Sequence, residues 1–108
     1  MIIITGSAIL RPESRDAAIA LGAEHSARSR AEPGCIAHNV HVDVEDARRL
    51  VFLELWTDPA AVKTHFAVPE SGAFVRALSG MAEGAPDMRI YDAADVTARL
   101  AARTGSGT

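Results

Sequence analysis

Four histidines, a single tryptophan and one carboxylate set in an apolar strand are the side chains of this 108-residue sequence best suited to chemistry. Histidine titrates near neutrality and is the natural general base or hydrogen-bond donor at physiological pH. His65 lies between Val62 and Phe66 on a segment that reads as a short helix, close to its inner stripe. It is either a base or substrate donor, or a structural imidazole bonded to a strand end through Glu54. Trp56 is either a core anchor or the wall of a flat aromatic pocket. Phe52, Glu54 and Trp56 share one face of a strand by their spacing of two. Glu54 is the charged member. A buried carboxylate is costly unless paired, and Arg89 or His65 are its available partners. Such a pair is a structural ion pair or a carboxylate that orients a histidine base.

The remaining candidates are spread along the chain. His25 falls with Ala17, Ala18 and Leu21 on the inner stripe of a first helix, as a pocket wall or as a cation suited to that helix's C-terminal half. On the next strand His38 points with Ile36 and Val40, whereas Asn39 and His41 point the other way, so the three cannot all serve one site. Which of them meets a pocket depends on which face the helices cover. Arg89 shares a face with Tyr91 on the last strand, at a pocket mouth or at an interface. His41 and Asp43 offer two metal ligands where a catalytic zinc takes three. With no His/Cys cluster in the sequence, no metal is expected. The single Cys35 excludes an intrachain disulfide and reads as a small buried hydrophobe.

These residues need elements to position them. Ile2 to Leu10 is a β-branched, apolar first strand ended by Arg11-Pro12. Glu13 to Ala31 carries good helix formers throughout and stops at Pro33-Gly34. Cys35 to Val44 and Arg49 to Thr57 read as a hairpin with a slightly long polar loop, Glu45 to Arg48. Asp58-Pro59 is an N-cap followed by proline at the first helical position, opening a helix to about Ala67. Val68 to Ser71 interrupts it, and a second helical piece runs from Gly72 to Met81. Met88 to Tyr91 forms a last strand. Ala93 to Arg103 reads as a terminal helix, closing a single domain over residues 1–103 with a disordered tail at 104–108.

The order β-α-β-β-α-β predicts an α+β, ferredoxin-like antiparallel sheet with helices on one face. The central hairpin is apolar on both faces, with Val51, Leu53 and Leu55 on one and Phe52 and Trp56 on the other. Helices can cover only one of them, so a homodimer packed sheet to sheet is expected. The formal net charge is −3, from 11 basic and 14 acidic residues with no basic block, which argues against nucleic acid as a partner. The apolar run at the N-terminus is too short to span a bilayer, so no membrane partner is expected and the protein reads as cytoplasmic. The chain carries no Gly-rich phosphate loop and no G-x-S-x-G elbow.

Glu32-Pro33-Gly34-Cys35 entering the second strand, Glu54-Leu55-Trp56 leaving the third, and His65 on the following helix together resemble the antibiotic biosynthesis monooxygenase family, and within it the quinol monooxygenases. The resemblance covers residues 1 to 92. It implies a dimeric α/β barrel and a monooxygenase that needs no cofactor. Such an enzyme oxidises a quinol, phenolic or polyketide-like aromatic with molecular oxygen. His65 is then the leading base, with Trp56 packing the ring and His38, Asn39, Phe52, Glu54, His25, Phe66 and Arg89 as substrate contacts. Quinol monooxygenase relatives often carry a second histidine in the break after the first, where Pro69-Glu70-Ser71 stands here. A haem-degrading branch uses an asparagine on strand one, a tryptophan at the end of strand three and a late histidine; Trp56 matches, but the asparagine and the late histidine are missing here. A dimeric binding module or an isomerase on the same fold is the alternative, because fold does not fix function.

Overall fold

The computed structural model describes residues 1–101, so the expected tail at 104–108 and the last residues of the expected terminal helix lie outside the described residues. The elements are β1 (Ile2–Ile9), a 3-10 turn (Pro12–Ser14), α1 (Arg15–Ser29), β2 (Cys35–Asp43), β3 (Asp46–Trp56), α2 (Pro59–Ala67), α3 (Pro69–Met81), β4 (Asp87–Asp92) and α4 (Thr97–Ala101). The four strands form one antiparallel sheet in the order β2-β3-β1-β4. This is the ferredoxin-like arrangement the element order predicts, with the helices on one face.

Strand alternation sorts the side chains. Ile2, Ile4 and Ala8 of β1 and Leu50, Phe52, Glu54 and Trp56 of β3 are buried on the inner, helix-covered face. Leu50 and Phe52 join Ala8, Leu10, Ala18, Phe74 and Leu78 in one apolar cluster, and Trp56 joins Ile2, Ile4 and Val62 in another. Gly22 lets α1 approach the sheet closely: a Cβ there would lie 3.1 Å from Phe52 and 3.3 Å from Val40. On the outer face Ile3, Val51 and Leu55 are half-buried and Leu53 is exposed.

Several boundaries differ from expectation, each for a local reason. The hairpin turn is Val44-Glu45, tighter than the predicted loop. Asp43 and Asp46 accept the backbone N–H groups of Glu45 and Arg48, so the polar stretch 46–48 extends β3 instead of forming a loop. A bulge between Cys35 and Ala37 places Cys35 opposite Trp56 and turns Ile36 out, 55% exposed, instead of in with His38. α3 starts at Pro69, not Gly72. Only Val68 is extended, as a residue before proline prefers to be, and Pro69 needs no N–H in a first turn. The terminal helix begins at Thr97 instead of Ala93, with the Thr97 N–H bonded to Asp95.

Candidate active site

Three of the four histidines converge on the inner face. His25 comes from α1, His38 from β2 and His65 from α2, and one donor atom of each lies within 4.8 Å of the others. All three are buried, and His38 is wholly so. The sheet register puts His38 directly opposite Glu54. Nothing in the linear spacing of residues 25, 38 and 65 announces a cluster. The expectation of no His/Cys cluster therefore fails in three dimensions, where non-adjacent elements meet.

Each imidazole is held through Nδ1. His65 Nδ1 lies 2.7 Å from Glu32 Oε1, His38 Nδ1 lies 2.8 Å from the Ser26 hydroxyl, and His25 Nδ1 lies 2.8 Å from a guanidinium nitrogen of Arg28. A carboxylate only accepts, so His65 carries its proton on Nδ1 and presents the Nε2 lone pair. A guanidinium only donates, so His25 has the reverse tautomer. His25 is further fixed by stacking on Phe74, with centroids 4.0 Å apart and planes within 3°.

Glu54 sits at the centre. Its Oε1 accepts the Trp56 indole N–H at 3.0 Å and lies 3.4 Å from His38 Nε2 and 3.9 Å from His65 Nε2. Burial pushes the Glu54 carboxyl above the usual carboxylate range, against the indole hydrogen bond and the His65 ring, which act to lower it. Burial also lowers His38 to about 4, helped by His65 and by Arg30 and Arg28. His25 falls to about 3, from burial first and then from His38, His65 and Arg28. The His38–Glu54 contact is close enough for an ion pair, yet His38 is neutral at physiological pH, so it is a contact between a neutral ring and a carboxyl group. Glu54 thus meets His38, His65 and Trp56. Arg89, the other partner considered for it, stands opposite Thr5 on the outer face and bonds Asp87.

A cavity of about 350 Å³ opens beside the cluster. Phe52, Phe66 and Phe74 give it aromatic walls, and His25, Glu54 and His65 give it polar ones. It lies near the lower end of the ~300–1,000 Å³ range of small-molecule sites. Ser71 also lines it, with a buried hydroxyl that has no hydrogen-bond partner among the described residues. Of the candidates read from the sequence, His25, Phe52, Glu54, His65 and Phe66 reach the cavity wall. His38 packs beside them. Trp56 is fully buried behind Glu54 with its ring centroid 4.6 Å from that of His65, and it supports the wall without lining it. Asn39 is exposed on the outer face, where Arg30 reaches it.

Glu32, Ser26, Arg28 and Ser71 are the polar groups the sequence reading missed. Glu32 had a signal, since it opens the stretch Glu32-Pro33-Gly34-Cys35. Gly34 holds φ +82°, and a Cβ there would lie 2.5 Å from Ala61 and 2.8 Å from the Thr57 hydroxyl. A glycine is therefore required where this loop crosses the start of α2. The crossing carries Glu32 onto the α2 residue His65. The Gly34 carbonyl accepts the Thr57 N–H at 2.9 Å and locks it.

The antibiotic biosynthesis monooxygenase family profile matches residues 1–77. The uncharacterized protein sll1783 of Synechocystis sp. is 29% identical over 94 residues, covering 87% of this chain, and the chain spans 64% of that relative's length. A crystal structure of an antibiotic biosynthesis monooxygenase superimposes with a TM-score of 0.80 at 28% identity, covering 87% of this chain and 99% of its own. Rv0793 from Mycobacterium tuberculosis shares the fold, with a TM-score of 0.81 at 19% identity over 87% of this chain and 95% of its own. Among the described residues no helix is long and apolar enough to cross a membrane. By the family match over most of its length, and by a fold built around the same strand and helix order, this chain belongs to the antibiotic biosynthesis monooxygenase family.

Proposed function

We propose that the protein is a cofactor-independent monooxygenase that oxidises a small phenol or quinol with molecular oxygen. One observation carries the reading beyond family membership. His65 is fastened at Nδ1 by Glu32 at 2.7 Å, which leaves its Nε2 lone pair on the wall of an aromatic cavity. A phenol bound there gives its proton to His65 Nε2, and the resulting phenolate is a far better one-electron donor. It passes an electron to dioxygen, the radical pair joins to form a C–O bond, and the ring hydroperoxide loses water to give a quinone. A phenol plus O2 becomes a quinone plus H2O. The substrate supplies all four electrons, one oxygen atom enters the product and the other leaves as water. The protein contributes the base, orientation against the aromatic wall of Phe52, Phe66 and Phe74, and exclusion of water. The Ser71 hydroxyl is placed to bond a second oxygen of the substrate. The homodimer belongs to this reading as well, with Ile3, Val51, Leu53 and Leu55 as the face that a second copy covers.

Oxygen uptake with a panel of quinols in chelator-treated buffer tests the assignment. Uptake above the protein-free rate is expected, and His65→Ala should lower it by ~10²–10⁴. Absence of uptake across the panel counts against the oxygenase.

A second reading draws on Glu54. A carboxyl group with a raised pKa stands 3.9 Å from the His65 ring, and both line the cavity. An acid and a base so placed suit a keto–enol isomerase. That reading expects deuterium exchange from solvent into a ketone ligand with no oxygen consumed.

A further inference from the structure

We infer that His38, His65 and Glu54, joined by His25, form a binding site for a first-row divalent transition-metal ion at the floor of the cavity. A tetrahedral ion about 2.1 Å from each donor sets those donors about 3.4 Å apart. His38 Nε2 and Glu54 Oε1 already stand 3.4 Å apart, and His65 Nε2 is 3.9 Å from the same oxygen. One ring nitrogen of each of His25, His38 and His65 lies within 4.8 Å of the others.

The surroundings match what such a site requires. Metal-bound histidines pass their other ring N–H to a carboxylate or another acceptor, which fixes the tautomer. Glu32 does this for His65, and the Ser26 hydroxyl is placed to do it for His38. The Trp56 indole holds Glu54 from behind. A separate observation points to a ligand. His38 is 0% exposed, yet its Nε2 has no hydrogen-bond partner among the described residues. A buried polar atom left unpaired costs free energy, and an ion bound at Nε2 would satisfy it. Imidazoles with one carboxylate suit zinc, iron, cobalt or nickel more than magnesium or calcium.

His25 enters on a condition. Arg28 uses the Nδ1 lone pair and leaves the proton on Nε2, so His25 can ligate through Nε2 only when Arg28 withdraws. His25, His65 and Glu54 line the cavity, which provides an entry path and leaves a coordination position facing it.

The site does not rest on the oxygenase reading. A bound ion takes the His65 lone pair that the proposed reaction uses, so loaded protein is inactive and stripped protein active if both hold. Titrating chelator-stripped protein with Co²⁺ alone, followed by visible absorption, tests the site. One Co²⁺ per chain is expected, with the absorption of a low-coordinate ion that Zn²⁺ displaces. His38→Gln, which keeps a polar group beside Ser26, should weaken binding by more than ~100-fold, and Glu32→Gln by ~10-fold. His41→Ala, on the exposed outer face, should change nothing. No Co²⁺ band, a band that survives His38→Gln, or a band lost in His41→Ala overturns the site. If His38→Gln fails to fold by circular dichroism, Glu32→Gln decides, and undiminished affinity there rejects the site. Co²⁺ binding without oxygen uptake by stripped protein defeats the oxygenase and spares the metal site. Uptake without Co²⁺ binding does the reverse.

Discussion

The inner face of the sheet divides into two regions along β3. Toward the hairpin turn, Leu50 and Phe52 meet Ala8, Leu10, Phe74 and Leu78, and every member of that cluster is apolar. Toward the far end, Glu54 and Trp56 meet His38, His65 and the edge of α1, and buried titratable groups are packed against one another. The first region does what cores do, removing apolar area from water at ~25 cal/mol per Å². The second spends that stability on desolvated imidazoles and a carboxyl group held out of its normal range. Two halves of one strand thus have different tasks, and perturbed titratable groups concentrate where function is expected.

The contrast can be broken at either end. The largest effect is expected from Leu50→Ala, which empties fully buried volume in the apolar region. It should cost ~2–5 kcal/mol of stability in urea unfolding, with oxygen uptake per folded molecule unchanged. A comparable loss of activity in the folded fraction would show that the two regions are not separable. Trp56→Phe acts within the polar region. It removes the donor to Glu54 Oε1 and should cost ~1–3 kcal/mol from the lost bond to a buried acceptor. Unlike Leu50→Ala it should also change uptake, because Glu54 is then free to shift against His65. An unchanged rate would mean that Glu54 needs no indole to hold it.

Acid provides a milder test of the polar region. In chelator-treated protein His25 and His38 stay neutral to about 3 and about 4, whereas in the unfolded chain they take up protons near 6.5. The unfolded state therefore binds more protons below pH 6.5. Stability should be full above that pH and fall steadily as pH drops toward 4 and then 3. Glu54 works in the opposite sense, because its folded carboxyl takes up a proton first, so the slope is that of two histidines partly offset by one acid. Urea midpoints at pH 7 and pH 5 should show the decline, and His38→Gln should flatten it. A flat profile in the native protein would mean that these rings are not held neutral.

Much of the fold was legible because it rests on short-range signals. Alternation in β3 put Phe52, Glu54 and Trp56 on one face, and Asp58-Pro59 marked the start of α2, where Asp58 does accept the Ala61 N–H. The element order gave the sheet and the side on which helices lie. The site was legible only in pieces. His38 opposite Glu54 depends on a hairpin register with irregularities at Cys35/Ala37 and Val42/Asp43. Arg89 and Asn39 were candidates because nothing local says which face the helices cover. The histidine cluster was invisible because α1, β2 and α2 are brought together by topology, not by spacing.

The central claim is that the polar region turns a phenol and dioxygen into a quinone and water. Turnover of a quinol under ¹⁸O₂, quenched early and read by mass spectrometry, tests it most directly. One labelled oxygen atom is expected in the quinone, the other in water, and neither from folded His65→Ala. Unlabelled quinone, or label entering equally with His65→Ala, would contradict it.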